Sequence, residues 1–198
     1  MDVIFTGSWY DEALEKEAAN TLISRGCVLI SQHADSMGAP TACEEAGIPN
    51  VSYNGSTVDA CSNTFIIASR INWQPYFEYM IDCVASGTAI DTDWTGTIEN
   101  GAVVLTDIND KVAAKETKEV IDGVKSAIIN KTLNVFDTSK FTVSGNILNE
   151  YKADVDTDEN YTPDTDVVHD GYFDESTFRS APYFDIQIDG ITFVNSAF

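Results

Sequence analysis

Apolar and polar residues are grouped along the chain in blocks that read as strands followed by helices. Val3 to Thr6 is a short apolar run broken by Gly7-Ser8. Ser8 and Asp11 fit the S-x-x-D capping box, which satisfies free N–H groups at a helix start. Leu14, Ala18 and Leu22 then recur every four residues as one apolar stripe, and Gly26 is suited to the left-handed stop. Cys27 to Ile30 reads as a buried strand, followed by the polar loop Ser31-Gln32-His33-Ala34-Asp35-Ser36 and a short helix through Thr41 to Ala46 that stops at Gly47. Pro49 to Tyr53 is a third strand ending in an Asn54-Gly55 turn, and Thr64 to Ser69 a fourth. Pro75 suits the first turn of a helix whose inner stripe is Tyr76, Met80 and Val84, before Gly87. Ala102 to Leu105 reads as a fifth strand, and Ala113, Val120, Val124 and Ile128 mark a last long helix. Continuous apolar strands alternating with helices predict an α/β fold with a doubly wound, mostly parallel sheet.

From about residue 137 the pattern changes. Between Asp154 and Glu175 stand nine acidic residues and no Lys or Arg. Asp154-x-Asp156-x-Asp158 has the opening spacing of a calcium loop, but Glu159 stands where the sharp-turn glycine is needed and Thr165 where the bidentate glutamate belongs, so a solvated loop is expected. Phe184 to Ile188 and Ile191 to Val194 flank Asp189-Gly190, a strong hairpin signal. The predicted organisation is a ligand-binding α/β lobe over 1–136, with an acidic extension and C-terminal β-hairpin over 137–198 packed on the same lobe.

The 198 residues, 43% of them hydrophobic, suit one domain or one lobe of a larger protein. Eleven Lys and Arg against 32 Asp and Glu give a net charge of −21, which argues against nucleic-acid binding and basic membrane anchoring. The longest apolar runs fall far short of the ~20 residues that span a bilayer. Met1 runs straight into an apolar strand with no basic n-region, signal core or lipobox, an opening expected of an excised segment. The four cysteines, Cys27, Cys43, Cys61 and Cys83, form no CxxC pair, so no metal site is expected. Cys27 and Cys83 read as buried free thiols; nothing in the sequence supports a Cys43–Cys61 disulfide.

Open α/β sheets bind ligands beyond the carboxyl ends of their strands. The first such loop holds Gly7, Ser8, Trp9 and Tyr10, and the second holds Gln32, His33, Asp35 and Ser36. The third holds Tyr53, Asn54 and Gly55, and the fourth Arg70, Asn72 and Trp73, with Trp94 in a later loop. Trp9, in the first turn of a capped helix, has little core to enter and should face the crevice, where a flat aromatic ligand can stack on it. The alternatives are that it folds onto its own helix or fills a subunit contact. Asp35 can accept from ring N–H or amine donors, or cap the helix that starts near Ser36. Asn54 can read a ligand edge or simply form a turn. His33 can orient Asp35 or be an exposed loop residue. The sequence lacks Gly-x-Gly-x-x-Gly, a Gly-Lys-Ser/Thr phosphate loop and a Gly-x-Ser-x-Gly elbow. The loops therefore offer stacking and hydrogen-bonding groups rather than an activated nucleophile, and a binding protein without cofactor is favoured over an enzyme.

At these loops the sequence resembles the BMP-type (basic membrane protein) substrate-binding lipoproteins of ABC importers. The resemblance rests on Thr6-Gly7-Ser8-Trp9-Tyr10-Asp11, Glu15-Lys16-Glu17-Ala18-Ala19, Gln32-His33-Ala34-Asp35-Ser36, Tyr53-Asn54, Asn72-Trp73 with Pro75-Tyr76, and Trp94 with Gly96, in order over residues 2 to 136. It implies a type I periplasmic-binding-protein fold whose ligand, a purine base or nucleoside, lies between two lobes. It also implies an ABC permease as partner and an extracytoplasmic, lipid-anchored location. The resemblance begins midway through such proteins, so the chain is expected to be the C-terminal lobe, lacking the N-terminal lobe and its share of ligand contacts. Trp9 falls where the family stacks an aromatic on the purine. Asn54 falls where nucleoside binders carry an acidic residue for the ribose, and Asn72 near where they place a lysine, which favours a free base such as adenine read by Asp35. The expected site is Trp9, Asp35, Asn54, Trp73, Ser8, Gln32 and Tyr53. A ligand-sensing receptor or regulator domain of the same fold, and a nucleoside-processing enzyme, are the alternative readings.

Overall fold

The structure is a computed structural model and describes residues 1–155, 160, 162–173, 175–178 and 186–195. It divides into two compact units, one holding Asp2–Asp122 with the segment from Thr192, the other holding Met1 and Gly123–Ile191.

The first unit starts with β1 (Asp2–Val3) and α1 (Glu12–Ser24), then β2 (Ile30–Ser31), α2 (Gly38–Ala46), β3 (Asn50–Tyr53), β4 (Phe65–Ile71), α3 (Gln74–Ser86) and β5 (Val103–Leu105). β2, β3 and β4 are parallel neighbours, and β5 closes the sheet antiparallel to β4 with Arg70 opposite Val104. The mostly parallel α/β sheet expected from the sequence is therefore present, with β5 as its antiparallel edge. α2 and α3 end where expected, at Gly47 (φ 69°) and Gly87 (φ 72°), both left-handed, a conformation that only glycine adopts without strain.

α1 starts later than Ser8 predicts. Asp11 is its cap, accepting the Leu14 N–H at 3.0 Å, while Glu15 reaches back to the Asp11 N–H at 3.1 Å. Ser8 Oγ instead closes a local turn, accepting the Tyr10 N–H at 3.3 Å. α1 and α2 pack through small residues, with Ala19, Ala39 and Ala42 as a buried cluster. They meet so closely that a Cβ on Gly38 would sit 2.3 Å from Glu12 O. A second cluster, Cys61, Phe65 and Ala68 with Met37 and Val58 against it, packs on β4. Asn50, fully buried in β3, donates Nδ2–H to Ile30 O at 3.1 Å and accepts from Ser52 Oγ at 2.6 Å, so its amide is satisfied across two strands.

Three predicted stripes differ. In α1 the buried residues are Glu15 and Ala19, one position on from the Leu14, Ala18 and Leu22 stripe, and Leu14 is exposed. In α3 the buried position is Cys83, while Val84 is 73% exposed, because Tyr76 and Tyr79 turn that helix onto the Trp94 ring (centroids 5.2 and 6.5 Å). In α4 (Thr117–Ile129), inside which the two units divide, no residue is buried, and Val120 and Val124 are exposed.

The second unit contains β6 (Phe136–Asp137), β7 (Lys152–Ala153), β8 (Thr165–Asp166), β9 (Val168–His169), β10 (Tyr172–Phe173) and the short α5 (Glu175–Phe178). β6, β10 and β9 form a small antiparallel sheet, and β7 pairs with β8. Ala153, Val167 and Phe173 are its buried centre. Of the candidate calcium loop, residues 156–159 lie outside the described residues. The Asp189-Gly190 turn forms, with Ile191 N–H to Ile188 O at 3.2 Å. Asp189 accepts from Thr142 Oγ1 at 2.6 Å, Gly145 N–H at 2.8 Å and Ser144 N–H at 3.2 Å, and these bonds hold its carboxyl below the usual carboxylate range. The strand after the turn does not fold back as a hairpin arm. It is β11 (Thr192–Phe193), which pairs in parallel with β1. Part of the first arm, residues 184 and 185, lies outside the described residues.

Candidate ligand-binding site

The loops after β1 and β2 are built around one carboxylate. Glu15 lies in the first turn of α1 and is 2% exposed, yet its charge is held by N–H donors. Besides the Asp11 N–H, its two oxygens accept the Ser36 N–H at 3.2 and 3.3 Å. Ser36 in turn closes a turn just before α2, its Oγ accepting the Gly38 N–H at 3.1 Å. A backbone bond from Asp35 N–H to Trp9 O at 2.9 Å then joins the two loops directly. Glu15 is the site-forming residue that sequence reasoning missed. Its signal was the Asp11-to-Glu15 spacing at a helix start, which Ser8 obscured.

A cavity of about 410 Å³ lies under these loops, lined by Ile4 to Trp9 on one side, Ile30 to Ala34 on the other, and Glu15, Ala18, Ala19, Leu22 and Ala39 from the helices. That volume falls in the range of small-molecule sites. Three expected site residues, Ser8, Trp9 and Gln32, line it together with His33. Trp9 precedes the α1 cap rather than lying in the helix, and the residue is 78% exposed. Gln32 spends its Nε2 on the loop, donating to Ala34 O at 3.1 Å and Ser36 O at 3.3 Å. Its Oε1 is buried and has no partner among the described residues. A buried acceptor without a donor is uncommon enough to mark a place where a ligand group belongs.

The remaining residues divide. Asp35 is exposed and does not cap α2, whose N-cap is Met37. His33 does not bond Asp35; it stacks on Tyr53, ring centroids 5.0 Å apart and 12° from parallel. That stack brings Tyr53 beside the second loop. Asn54 takes a left-handed turn conformation (φ 63°) with its N–H on Ser69 O at 2.7 Å, and its side chain is exposed. Trp73 is not among the cavity-lining residues. It stands at the start of α3, 57% exposed, against Phe77 at 6.2 Å. Asn72 is consumed structurally, donating to Gly101 O at 3.0 Å and accepting the Gln74 N–H at 3.3 Å. Among the described residues no group of three His, Cys, Asp or Glu is placed to hold a metal. The four cysteines are free thiols; burial, with Cys61 nearby, pushes the Cys43 thiol up to about 11.

An exposed indole and a buried free acceptor on adjacent loops at one open mouth can bind a flat ligand carrying hydrogen-bond donors. Comparison with known proteins agrees with a binding role. The family model described as ABC transporter substrate-binding protein, PnrA-like, matches residues 1–139. TsgA13 of Haloferax volcanii, named for glucose binding in an ABC transporter, is 28% identical over 140 residues, 70% of this chain and 35% of that protein. A purine-binding protein of Brucella abortus is 31% identical over 86 residues, 43% of this chain and 25% of that protein. The chain thus spans about a third or less of these relatives. A solved solute-binding protein of an ABC transporter system from Conexibacter woesei matches with TM-score 0.53 at 21% identity, over 66% of this chain and 44% of its own. A transcriptional activator of the comK gene from Bacillus halodurans matches with TM-score 0.56 at 16% identity, over 64% and 45%. At such identities the structures speak to the fold alone. The family match runs from the first strand past the last long helix, and the chain belongs to the PnrA-like substrate-binding proteins of ABC transporters.

Proposed function

We propose that this chain forms the C-terminal lobe of the solute-binding component of an ABC importer and binds a purine base at the mouth of the cavity. Trp9 is the stacking surface, contributing about 1–3 kcal/mol on the scale of base–aromatic contacts. Gln32 Oε1 accepts from a ring or amine N–H, with Asp35 and Ser8 as further polar groups at the rim. The observation that carries this reading is the pairing of an exposed indole with a buried, unpartnered acceptor on adjacent loops. A flat heterocycle with N–H donors satisfies both at once. The Brucella relative, a purine-binding protein, supports the same ligand class. Asn54 and Asn72 carry no charge for a ribose, and Asn72 is already engaged, which favours the free base over the nucleoside. In the whole protein a second lobe closes over the ligand and a permease receives it, outside the cytoplasm at a lipid-anchored position. Nothing in the loops calls for bond making, and the role is binding rather than catalysis.

The name of the Haloferax relative favours a second ligand, a hexose, since a pyranose can also lay its C–H face on an indole and donate a hydroxyl to Gln32. NMR titration of the 198-residue chain, following the three indole N–H signals, separates these. Adenine or guanine moving the Trp9 signal at lower concentration than adenosine, guanosine or glucose supports the proposal. Nucleosides acting first overturn the free-base reading, glucose acting first establishes the hexose reading, and no movement by any of them overturns both.

A further inference from the structure

Asparagine followed by glycine occurs twice in the chain, at Asn54-Gly55 and Asn100-Gly101. The pair carries its own chemistry. The glycine backbone nitrogen can close a five-membered ring on the asparagine side-chain carbonyl carbon, and a glycine has no Cβ to screen that nitrogen. Both asparagines are exposed, so access to solvent does not separate them. Hydrogen bonding does. Asn100 Oδ1 accepts the Thr97 N–H at 2.8 Å and the Ala102 N–H at 3.2 Å, and its Nδ2 donates to Thr95 O at 3.0 Å. The Gly101 N–H donates to Ile98 O at 3.3 Å. Both reacting groups of that pair are therefore engaged. At Asn54 the backbone N–H is held by Ser69 O, but the side chain makes no hydrogen bond among the described residues, and the Gly55 N–H has no acceptor there. Gly55 also lines a cavity of about 440 Å³ with Ser56, Val58 and Arg70, which brings water to the same nitrogen.

We propose that Asn54 is a self-modification site, converting to aspartate and isoaspartate in the folded chain while Asn100 is spared. The Gly55 nitrogen attacks Asn54 Cγ, forming the new C–N bond of a succinimide ring. The Cγ–Nδ2 bond breaks, and ammonia leaves with the proton lost from Gly55. One water then adds to either ring carbonyl and opens the ring, giving isoaspartate at one carbonyl and aspartate at the other. At Asn54 no hydrogen bond has to break before the attack. At Asn100 even one such bond, at its usual net strength, corresponds to about tenfold in rate. The conversion places a new negative charge on the loop after β3, next to Tyr53, whose ring stacks on the cavity-lining His33. It also replaces an amide, which donates and accepts, with a group that only accepts. Aspartate tolerates the left-handed backbone of Asn54 (φ 63°), whereas isoaspartate lengthens the backbone by one methylene and works against the bond to Ser69 O. The inference holds whichever ligand the mouth takes.

The test is peptide mapping by mass spectrometry on the 198-residue chain after incubation at mildly alkaline pH and physiological temperature. Trypsin cuts after Arg25, Arg70 and Lys111, which places Asn54 and Asn100 in separate peptides. In the folded chain Asn54 should convert faster than Asn100 by about tenfold or more, with aspartate and isoaspartate appearing together. Unfolded in urea, the two should convert at similar rates. Gly55→Ala should slow Asn54 by about tenfold or more, because a Cβ screens the attacking nitrogen. That variant should keep the parent's urea midpoint, since Gly55 is not left-handed and its added Cβ would meet nothing within 4 Å. Conversion of Asn54 no faster than Asn100 in the folded chain overturns the proposal. So does a difference of the same size in urea, which would lie in the sequence and not in the fold. Aspartate alone, or an unchanged rate in Gly55→Ala, would mean direct hydrolysis of the amide and overturn it as well.

Discussion

Replacing Glu15 by alanine removes the group on which both ligand-facing loops are hung. The carboxylate is 2% exposed and serves two backbone donors, the Asp11 N–H at 3.1 Å and the Ser36 N–H at 3.2 Å. Ser36 is itself 2% exposed, so its N–H would be left without water or partner, a loss of about 1–3 kcal/mol. The Asp11 N–H lies at a helix start nearer solvent, and losing its bond to Glu15 there costs about 0.5–1 kcal/mol. The expected total is about 1.5–4 kcal/mol, and Glu15→Gln, which keeps one acceptor oxygen, should lose about half of that. With a urea slope of about 2 kcal/mol/M, the alanine variant's midpoint should fall by about 0.8–2 M. The assay is urea unfolding followed by far-UV circular dichroism, with fluorescence quenching of Trp9 as a check that its loop has loosened. A midpoint within about 0.3 M of the parent would refute the claim that this carboxylate organises the site.

Gly38→Ala should destabilise by about 1–3 kcal/mol, read as a lower thermal midpoint, because the new Cβ meets Glu12 O at 2.3 Å and helix backbone cannot step aside; an unchanged midpoint contradicts the close packing of α1 on α2. Cys43, Cys61 and Cys83 are buried and Cys27 only half-buried. Ellman's reagent should therefore label Cys27 first, and Cys27→Ala should remove the fast phase; rapid labelling of Cys43 counts against its thiol being pushed up to about 11. At Glu44, burial raises the carboxyl, but bonds from Thr64 and Asn63 and the charge of Lys111 outweigh it and hold the group below its ordinary value. A depressed native value contributes stability that is present above the unfolded value near 4.5 and lost as pH falls through the native one. Glu44→Gln should accordingly lose less stability than the parent between about pH 6 and pH 3, by denaturant titration at each pH.

What could be read from the sequence was local. The glycine stops at Gly47 and Gly87, the left-handed turn at Asn54 and the strand–helix order are each set by a few adjacent residues. Trp9 and Gln32 stood on adjacent loops because the carboxyl ends of parallel strands gather on one side of a sheet. Three features were set by distant partners instead. Asp11 displaced Ser8 as the cap because Glu15 answers it and also bonds Ser36, and no local pattern shows that second bond. The buried face of α3 turned from Val84 to Cys83 because Trp94, beyond the helix, draws Tyr76 and Tyr79. The strand after Asp189-Gly190 found β1 near the opposite end of the chain, where a hairpin pattern predicts a neighbour. Trp73 and Trp9 looked alike in sequence, each following a strand, but only Trp9 lines the cavity.

The central claim is that a planar heterocycle lies against the Trp9 ring. Intermolecular nuclear Overhauser contacts between adenine H2 or H8 and indole protons, recorded on the 198-residue chain at millimolar adenine, test it most directly. The account predicts contacts to the Trp9 ring that vanish in Trp9→Ala. Contacts to Trp73 alone, or contacts that survive the substitution, would contradict it.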